Sequence, residues 1–249
     1  MEVAMMIENG YMGLKNGILD QSAILLSRTA HLTFINCKDT SHHLVRLPAG
    51  RRVPACRILL AFSGLRKSII ATGYNTRVDE CRAAAATMLR MLGRPAETPL
   101  LGNVTLEEYD SLKERLEVEL DPVLLRRSRH FFEESRRVHE GREAWAAGDL
   151  SRFGALMSSS GMSSIVNYEC GCDPLIQLRE ILLNSPRGGV LGARFSGAGF
   201  RGCCVALVLA DEAFNVAEHV KREYSKIQPE LSREAPVLIL DTGDGARVL

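Results

Sequence analysis

The stretch GARFSGAGFRGCCVALVL, residues 192–209, decides how the fold is interpreted. Gly197, Gly199 and Gly202 allow positive φ and close backbone approach, and an unbroken apolar run, Cys203–Leu209, follows them. An apolar run bounded by a glycine-rich loop predicts a buried strand. The glycines fit the spacing G-x-G-x-x-G, but they precede a strand instead of joining a strand to a helix. Taken alone, the loop therefore favours a tight turn over a phosphate site.

Working outward, strands and helices mix along the chain without regular alternation. Residues 30–39 and 56–64 are predicted to be strands, residues 41–54 a polar loop, and residues 236–249 a strand pair with a turn at 243–245. Helical spacing and capping residues predict helices over residues 21–27, 76–92, 105–117, 121–148, 149–165, 173–185 and 212–227. This order predicts an α+β fold and not a doubly wound sheet.

Composition narrows the class of protein. The 249 residues are 46% hydrophobic, enough for a sizeable core, and the net charge is only +1. Basic clusters are interleaved with acidic residues and aromatics are few, so no nucleic-acid partner is expected. No segment reaches the roughly 18 apolar residues of a membrane span, and the N-terminus does not have the pattern of a secretory signal. We expect a soluble, cytoplasmic monomer.

The cysteines do not indicate a metal centre. Seven cysteines include the pair Cys170 and Cys172 and the adjacent Cys203 and Cys204, but no set of four ligands has zinc-site spacing. Reduced, buried thiols are the expected state, and no metal ligand is assigned.

Three segments each carry a functional interpretation and a plain structural one. Asp20 precedes an apolar run, where it acts either as a helix cap or as a general base; the cap is favoured when the segment is considered alone. Tyr74 is predicted in a loop before a helix, either presenting its hydroxyl to a ligand or anchoring the loop. The serine-rich residues 158–165 suggest a phosphate cradle, but their hydroxyls more simply cap a turn or bond their own backbone.

Taken together and in this order, three segments resemble the GHMP kinases of the galactokinase type. NGILDQSA (16–23) is similar to the family segment C-G-I-M-D-Q-F-A, and GYNTRVDEC (73–81) resembles a later segment that contacts the sugar. GARFSGAGFRGCCVALV (192–208) is similar to the third family motif, T-G-A-G-F-G-G-C-x-V-A-L-V. The resemblance runs from about Leu14 to the C-terminus. Finer features, including GREAWAAGDL (141–150), are most similar to the plant galacturonokinases of this family.

The resemblance implies a GHMP kinase fold, with a partial N-terminal domain in residues 1–75 and a ferredoxin-like C-terminal domain with added helices in residues 76–249. It implies ATP- and Mg²⁺-dependent phosphorylation of the anomeric hydroxyl of a small sugar acid, D-galacturonic acid, with galactose as the alternative substrate. The implied site residues are Asp20 as the catalytic residue; Tyr74, Asn16 and Gly17 on the sugar; and Gly197, Ala198 and Gly199 shaping the cleft near the phosphates.

The sequence also departs from the family pattern. Asn16 stands where the family has Cys, Ser196 stands for Thr, and Arg201 stands for a Gly. The family's sugar motif G-R-x-N-x-x-G-E-H-x-D-Y and phosphate loop G-x-G-L-S-S-S do not occur ahead of Asp20. We therefore expect an N-terminally truncated kinase that is inactive alone and has unpaired strand edges within residues 30–64. The alternative is a non-catalytic module that binds a sugar or a protein partner.

Overall fold

The computed structural model describes residues 2–13, 15–49, 53–66 and 73–247. Its helices are α1 (Glu2–Met5), α2 (Leu19–Leu26), α3 (Tyr74–Met91), α4 (Leu106–Glu119), α5 (Pro122–Ala147), α6 (Leu150–Val166), α7 (Asp173–Leu183) and α8 (Ala213–Ile227). A π-helical segment, Met6–Tyr11, follows α1. Its strands are β1 (His31–Ile35), β2 (His42–Arg46), β3 (Cys56–Phe62), β4 (Val190–Phe195), β5 (Cys203–Leu209) and β6 (Val237–Leu240). The α+β prediction is confirmed.

A four-stranded antiparallel sheet organises the fold. Its strand order is β4-β5-β3-β6, and the chain order of β3, helices, β4, β5, α8 and β6 makes it a ferredoxin-like sheet. Helices α7 and α8 cover the sheet, with Leu175, Leu182 and Val220 fully buried against its apolar residues. The predicted strand Cys203–Leu209 is β5, which pairs on both sides and lies in the middle of this core.

Helices α3, α4 and α5 form a second core. Tyr109 of α4 stacks on Phe132 of α5 with ring centroids 4.0 Å apart. The long helix α5 begins and ends as its sequence predicts. Asp121 caps it by accepting a hydrogen bond from the Val123 N–H at 2.8 Å, and Pro122 occupies the first turn. Gly148 ends α5 in the left-handed conformation.

Two segments differ from their predicted structure. The predicted polar loop over residues 41–54 contains β2, which pairs antiparallel with β1 despite its histidines; Val45 packs, with Leu32, against the cluster around Trp145. Residues 236–249 were predicted as a strand pair, but within the described residues only β6 forms there. The backbone instead returns to α2, where the N–H of Ala246 donates to the carbonyl of Ile24 at 2.7 Å.

The predicted open edge within residues 30–64 is wrong for β3, because β3 pairs with β5 on one side and β6 on the other. Strand β3 also lies before the predicted domain boundary at 75/76, so residues on both sides of that boundary share one sheet. The division itself stays a prediction. None of the helices in the described ranges is both long and apolar enough to cross a membrane.

Candidate active site

One cavity of about 340 Å³ brings together the residues that the sequence singled out. Its walls come from the segment entering α2, from the start of α3 and from the loop between β4 and β5. The lining residues are Asn16, Gly17, Leu19, Asp20, Tyr74, Ser196, Gly197, Ala198, Gly199, Phe200, Arg201, Gly202 and Cys203. Segments far apart in sequence therefore meet where the motifs predicted a common site.

Asp20 lies in the first turn of α2 and its side chain is exposed. The interpretation as a helix cap is wrong. The residue at the cap position is Ile18, with no side-chain capping bond, and the Asp20 carboxylate makes no hydrogen bond with the described residues. The free backbone N–H groups and dipole of a helix N-terminus favour a carboxylate nearby. Asp20 is thus held at a favourable place while its oxygens remain available to a ligand.

Residues 196–202 form the hairpin loop between β4 and β5, fixed at several points. Gly199 has φ +73°, and a Cβ there would collide with the ring of Phe195, so glycine is required on both counts. The carbonyl of Gly199 accepts from the Cys172 N–H at 2.9 Å, and that of Gly202 accepts from the Ser63 N–H at 2.9 Å. The loop therefore presents a rigid backbone to the cavity.

Tyr74 lies inside the first turn of α3, and not in a preceding loop as the sequence predicted. The helix begins two residues earlier than predicted, with Gly73 at its N-cap position. Burial raises the pKa of the Tyr74 hydroxyl, and the nearby Cys170 and Asp20 raise it further. The hydroxyl therefore stays protonated at neutral pH and can donate a hydrogen bond beside the Asp20 carboxylate.

The neighbour of Tyr74, Asn75, has a structural role that the sequence did not reveal. Its Oδ1 accepts a hydrogen bond from the Lys15 N–H at 3.1 Å, and its Nδ2 donates to the Gly13 carbonyl at 3.1 Å. Lys15 also pairs with Asp79 of α3, with Nζ and Oδ1 separated by 2.5 Å. These contacts attach the segment that leads to Asp20 to the beginning of α3.

A second set of contacts holds Asn16. Glu8 Oε2 accepts from Asn16 Nδ2 and from Gln21 Nε2, the latter at 2.8 Å. Asn16 Oδ1 is buried and has no hydrogen-bond partner among the described residues. Because buried polar atoms are normally paired, an unpaired acceptor on a residue lining a cavity fits a ligand that donates, such as a sugar hydroxyl.

Two further sequence features, the serine-rich stretch and the candidate metal ligands, lie outside this set of contacts. In the serine-rich stretch, the hydroxyls of Ser158, Ser159 and Ser164 each donate to a carbonyl one helical turn earlier in α6, at 2.9–3.0 Å. They bond their own backbone, which was the favoured interpretation. Within the described ranges, no three His, Cys, Asp or Glu side chains group as a metal site, and Asp20 is the one carboxylate among the residues lining the cavity.

The chain is similar to known proteins in sequence and in structure. Residues 142–226 match the family described as GHMP kinases C terminal. The chain is 54% identical to galacturonokinase from Arabidopsis thaliana, an alignment covering 98% of this chain and 57% of that protein. It is 33% identical to galactokinase from Canis lupus familiaris, covering 100% of this chain and 57% of that protein.

The fold has a similar counterpart among solved structures. The crystal structure of Lactococcus lactis galactokinase complexed with galactose superposes with a TM-score of 0.83 at 27% identity, covering 100% of this chain and 60% of that one. The chain thus spans somewhat more than half the length of the proteins that it matches.

Proposed function

We propose that the chain is part of a GHMP kinase and that it supplies the catalytic carboxylate and part of the sugar site of an ATP-dependent sugar 1-kinase. The family match over residues 142–226 and the similarity to galacturonokinase and galactokinase support this proposal. The proposed substrate is D-galacturonic acid and the proposed product its 1-phosphate. The identity of 54% to a galacturonokinase supports this substrate over galactose, because the galactokinases compared are 27–33% identical. The proposal includes a cytoplasmic, monomeric enzyme, with a division into residues 1–75 and 76–249.

The observation that carries the proposal is that Asp20, Tyr74 and the loop of Gly197 and Gly199 line one cavity. Transfer of a phosphoryl group requires little covalent chemistry from the protein and depends on positioning and electrostatics. The Asp20 carboxylate and Asn16 Oδ1 have no hydrogen-bond partner among the described residues, and the Tyr74 hydroxyl is protonated. Together these groups suit a polyhydroxyl substrate.

In the proposed reaction, the sugar's anomeric hydroxyl donates a hydrogen bond to the Asp20 carboxylate. The hydroxyl oxygen forms a bond to the γ-phosphorus of ATP as the bond from that phosphorus to the leaving ADP oxygen breaks. The hydroxyl proton passes to Asp20. Because the transition state is loose, the sugar hydroxyl loses its proton only late in the reaction. Asp20 therefore acts mainly by orienting the hydroxyl and then accepting its proton. Tyr74 and Asn16 hold the sugar ring, and the loop containing Gly197, Ala198 and Gly199 shapes the phosphate side.

ATP and Mg²⁺ are the cofactors that the resemblance implies. Magnesium in such sites is held by one or two carboxylates together with substrate phosphates. The described residues offer Asp20 but no carboxylate cluster, so they do not by themselves fit a metal site. No step is therefore assigned to the metal through the residues of this chain.

The experiment measures ³²P transfer from [γ-³²P]ATP to galacturonic acid and to galactose. It uses the 249-residue chain alone, and the same chain joined to the N-terminal part of the Arabidopsis galacturonokinase that it does not span. Asp20→Asn is expected to lower turnover by about 10²–10⁴-fold, the usual contribution of a general base. Asp211→Asn, which changes an exposed carboxylate outside the cavity, is the matched control and is expected to leave turnover unchanged.

Unchanged turnover in Asp20→Asn would contradict the assigned role. Faster transfer to galactose than to galacturonic acid would identify galactose as the substrate instead of galacturonic acid. Sugar binding without transfer in both forms would favour the non-catalytic module.

A further inference from the structure

Among the described residues that line the Asp20 cavity, Arg201 is the one cation. Its side chain is exposed, and its guanidinium makes no ion pair or hydrogen bond with the part of the chain that the structure describes. Arg194, on the strand leading into the same loop, differs in this respect. Its Nη1 donates to Ser160 Oγ and lies 3.6 Å from Glu134 Oε2. Within the described part of the chain, Arg201 thus brings a positive charge without an ion-pair partner to a cavity lined by one carboxylate, that of Asp20.

The backbone at Arg201 is fixed, although its side chain has no partner among the residues that the structure describes. Ser63 donates to the neighbouring Gly202 carbonyl twice, from its N–H and from its hydroxyl, each at 2.9 Å. The carbonyl of Gly199, two positions earlier, accepts from the Cys172 N–H at 2.9 Å. Because anchored residues flank it, the Arg201 Cα has a defined place at the cavity wall.

A guanidinium presents a planar fork of donors that matches a carboxylate through two parallel hydrogen bonds. A neutral hexose has no group that uses this fork in the same way. A sugar acid also carries a negative charge into the cavity that holds Asp20, and a cation there offsets the repulsion. A triphosphate, in contrast, is usually held by several backbone N–H groups together with a cation and a metal ion. A single guanidinium without a partner among the described residues therefore suits a single carboxylate better than a triphosphate.

We propose that Arg201 binds the carboxylate of the sugar acid and selects it against the neutral sugar. This inference rests on the proposed function, and it identifies the residue that distinguishes galacturonic acid from galactose. It also gives the replacement of a family glycine by arginine at this position a chemical reason.

The test is calorimetric titration of the 249-residue chain with sodium galacturonate, galactose and ATP at low ionic strength. Arg201→Gln is expected to weaken galacturonate binding by about 10–100-fold, as for loss of a charged hydrogen-bond pair. Galactose and ATP affinities are expected to stay within about twofold, because neither uses the fork in this proposal. Arg201→Lys keeps the charge but not the planar fork of donors. Its galacturonate affinity is expected to lie between those of the wild type and Arg201→Gln. Arg82→Gln, a surface arginine outside the cavity, is the matched control.

The outcomes separate this inference from the proposed function. If wild-type chain binds galacturonate and Arg201→Gln binds it equally well, the role of Arg201 is refuted while the proposed function stands. If Arg201→Gln loses ATP affinity and keeps galacturonate affinity, the anion is a phosphate and the inference is likewise refuted. If the wild-type chain binds neither sugar, both the inference and its premise of a sugar site in this cavity are contradicted.

Discussion

Asn75 of α3 fixes the backbone of Lys15 from a distance of 60 positions in sequence: the Lys15 N–H donates to Asn75 Oδ1 at 3.1 Å. The same side chain donates from Nδ2 to the Gly13 carbonyl, also at 3.1 Å. Since Tyr74 precedes Asn75 and Asp20 follows Lys15 by five positions, this pair sets the separation of the two proposed sugar contacts.

Asn75→Ala is therefore expected to weaken galacturonate binding by about 3–10-fold, because the segment that leads to Asp20 is less ordered without these two hydrogen bonds. Stability should change by less than about 1 kcal/mol, since both bonds are exposed. Calorimetric titration and urea unfolding measure the two quantities. Thr76→Ala, at an exposed neighbouring position, is the control and should change neither. Equal affinities for Asn75→Ala and Thr76→Ala would show that the contact does not position the site.

A buried arginine holds α3, α5 and the segment after α6 together. The Arg127 side chain is fully buried; Nε donates to Glu80 Oε2 at 2.6 Å, Nη2 to Glu169 Oε2 at 2.6 Å, and Nη1 to the Asn167 carbonyl at 2.8 Å. Its neighbour Arg126 also binds Glu169, at 2.7 Å, but is one-third exposed. The two arginines share a partner and differ in burial.

Arg127→Met is expected to lower the free energy of unfolding by about 3–5 kcal/mol, because it leaves carboxylates without their buried partner. Arg126→Met should cost at most about 1 kcal/mol, the usual value for an exposed pair. Urea unfolding followed by circular dichroism gives both values. Similar losses in the two variants would mean that burial does not determine the contribution of this network.

How much of this structure the sequence could predict depended on the kind of interaction involved. Strand β5 was predicted with correct bounds because a continuous apolar run between glycines reflects burial directly. The adjacent β4 was not recognised, since Gly192 and Arg194 interrupt its apolar pattern. Its strand conformation comes from pairing with β5, which propensity does not reveal. Strand β2 was missed for the same reason: its pairing with β1 outweighs a polar sequence.

The candidate site likewise contains residues that the sequence could predict and contacts that it could not. Asp20, Tyr74 and the glycine loop came from motif resemblance, which identifies residues that bear chemistry. The contacts of Asn75 with Lys15 and of Glu8 with Asn16 connect separate segments by side-chain hydrogen bonds. Such contacts leave no periodicity or spacing in the sequence. The absence of a capping bond at Asp20 was also unpredictable, because α2 begins at Leu19, two residues before the predicted start, and helix ends vary by that much.

His130 gives the fold a dependence on pH. Its ring stacks on Tyr168, and burial lowers its pKa from the ordinary 6.5 to about 4. Glu134 of α5 opposes this shift, whereas Arg137 of α5 and Arg194 of β4 add to it. Between about pH 4 and 6.5 the unfolded chain therefore binds more protons at this position than the folded chain.

Stability should consequently fall as the pH decreases through this window, with a contribution of up to about 1.4 kcal/mol per pH unit from this one group. Above pH 7 the histidine is neutral in both states and contributes no slope. Urea unfolding of His130→Gln between pH 7.5 and 4.5 should give a flatter profile than the wild type. His42→Gln, on the exposed face of β2, should keep the wild-type slope. A wild-type slope in His130→Gln would assign the acid sensitivity to other groups.

Gly154 of α6 and Gly192 of β4 allow the helix and the sheet to touch backbone to backbone. A Cβ at Gly192 would collide with the Gly154 carbonyl, and neither glycine has a positive φ, so the requirement is one of space alone. Gly192→Ala is expected to cost about 3 kcal/mol of unfolding free energy, because backbone atoms cannot move aside as a flexible side chain can. Gly102→Ala is the control: its Cβ would meet nothing closer than Phe131 Cζ at 4.0 Å, and it should be neutral or slightly stabilising. A loss below about 0.5 kcal/mol in Gly192→Ala would mean that α6 can move away from the sheet without disturbing the core.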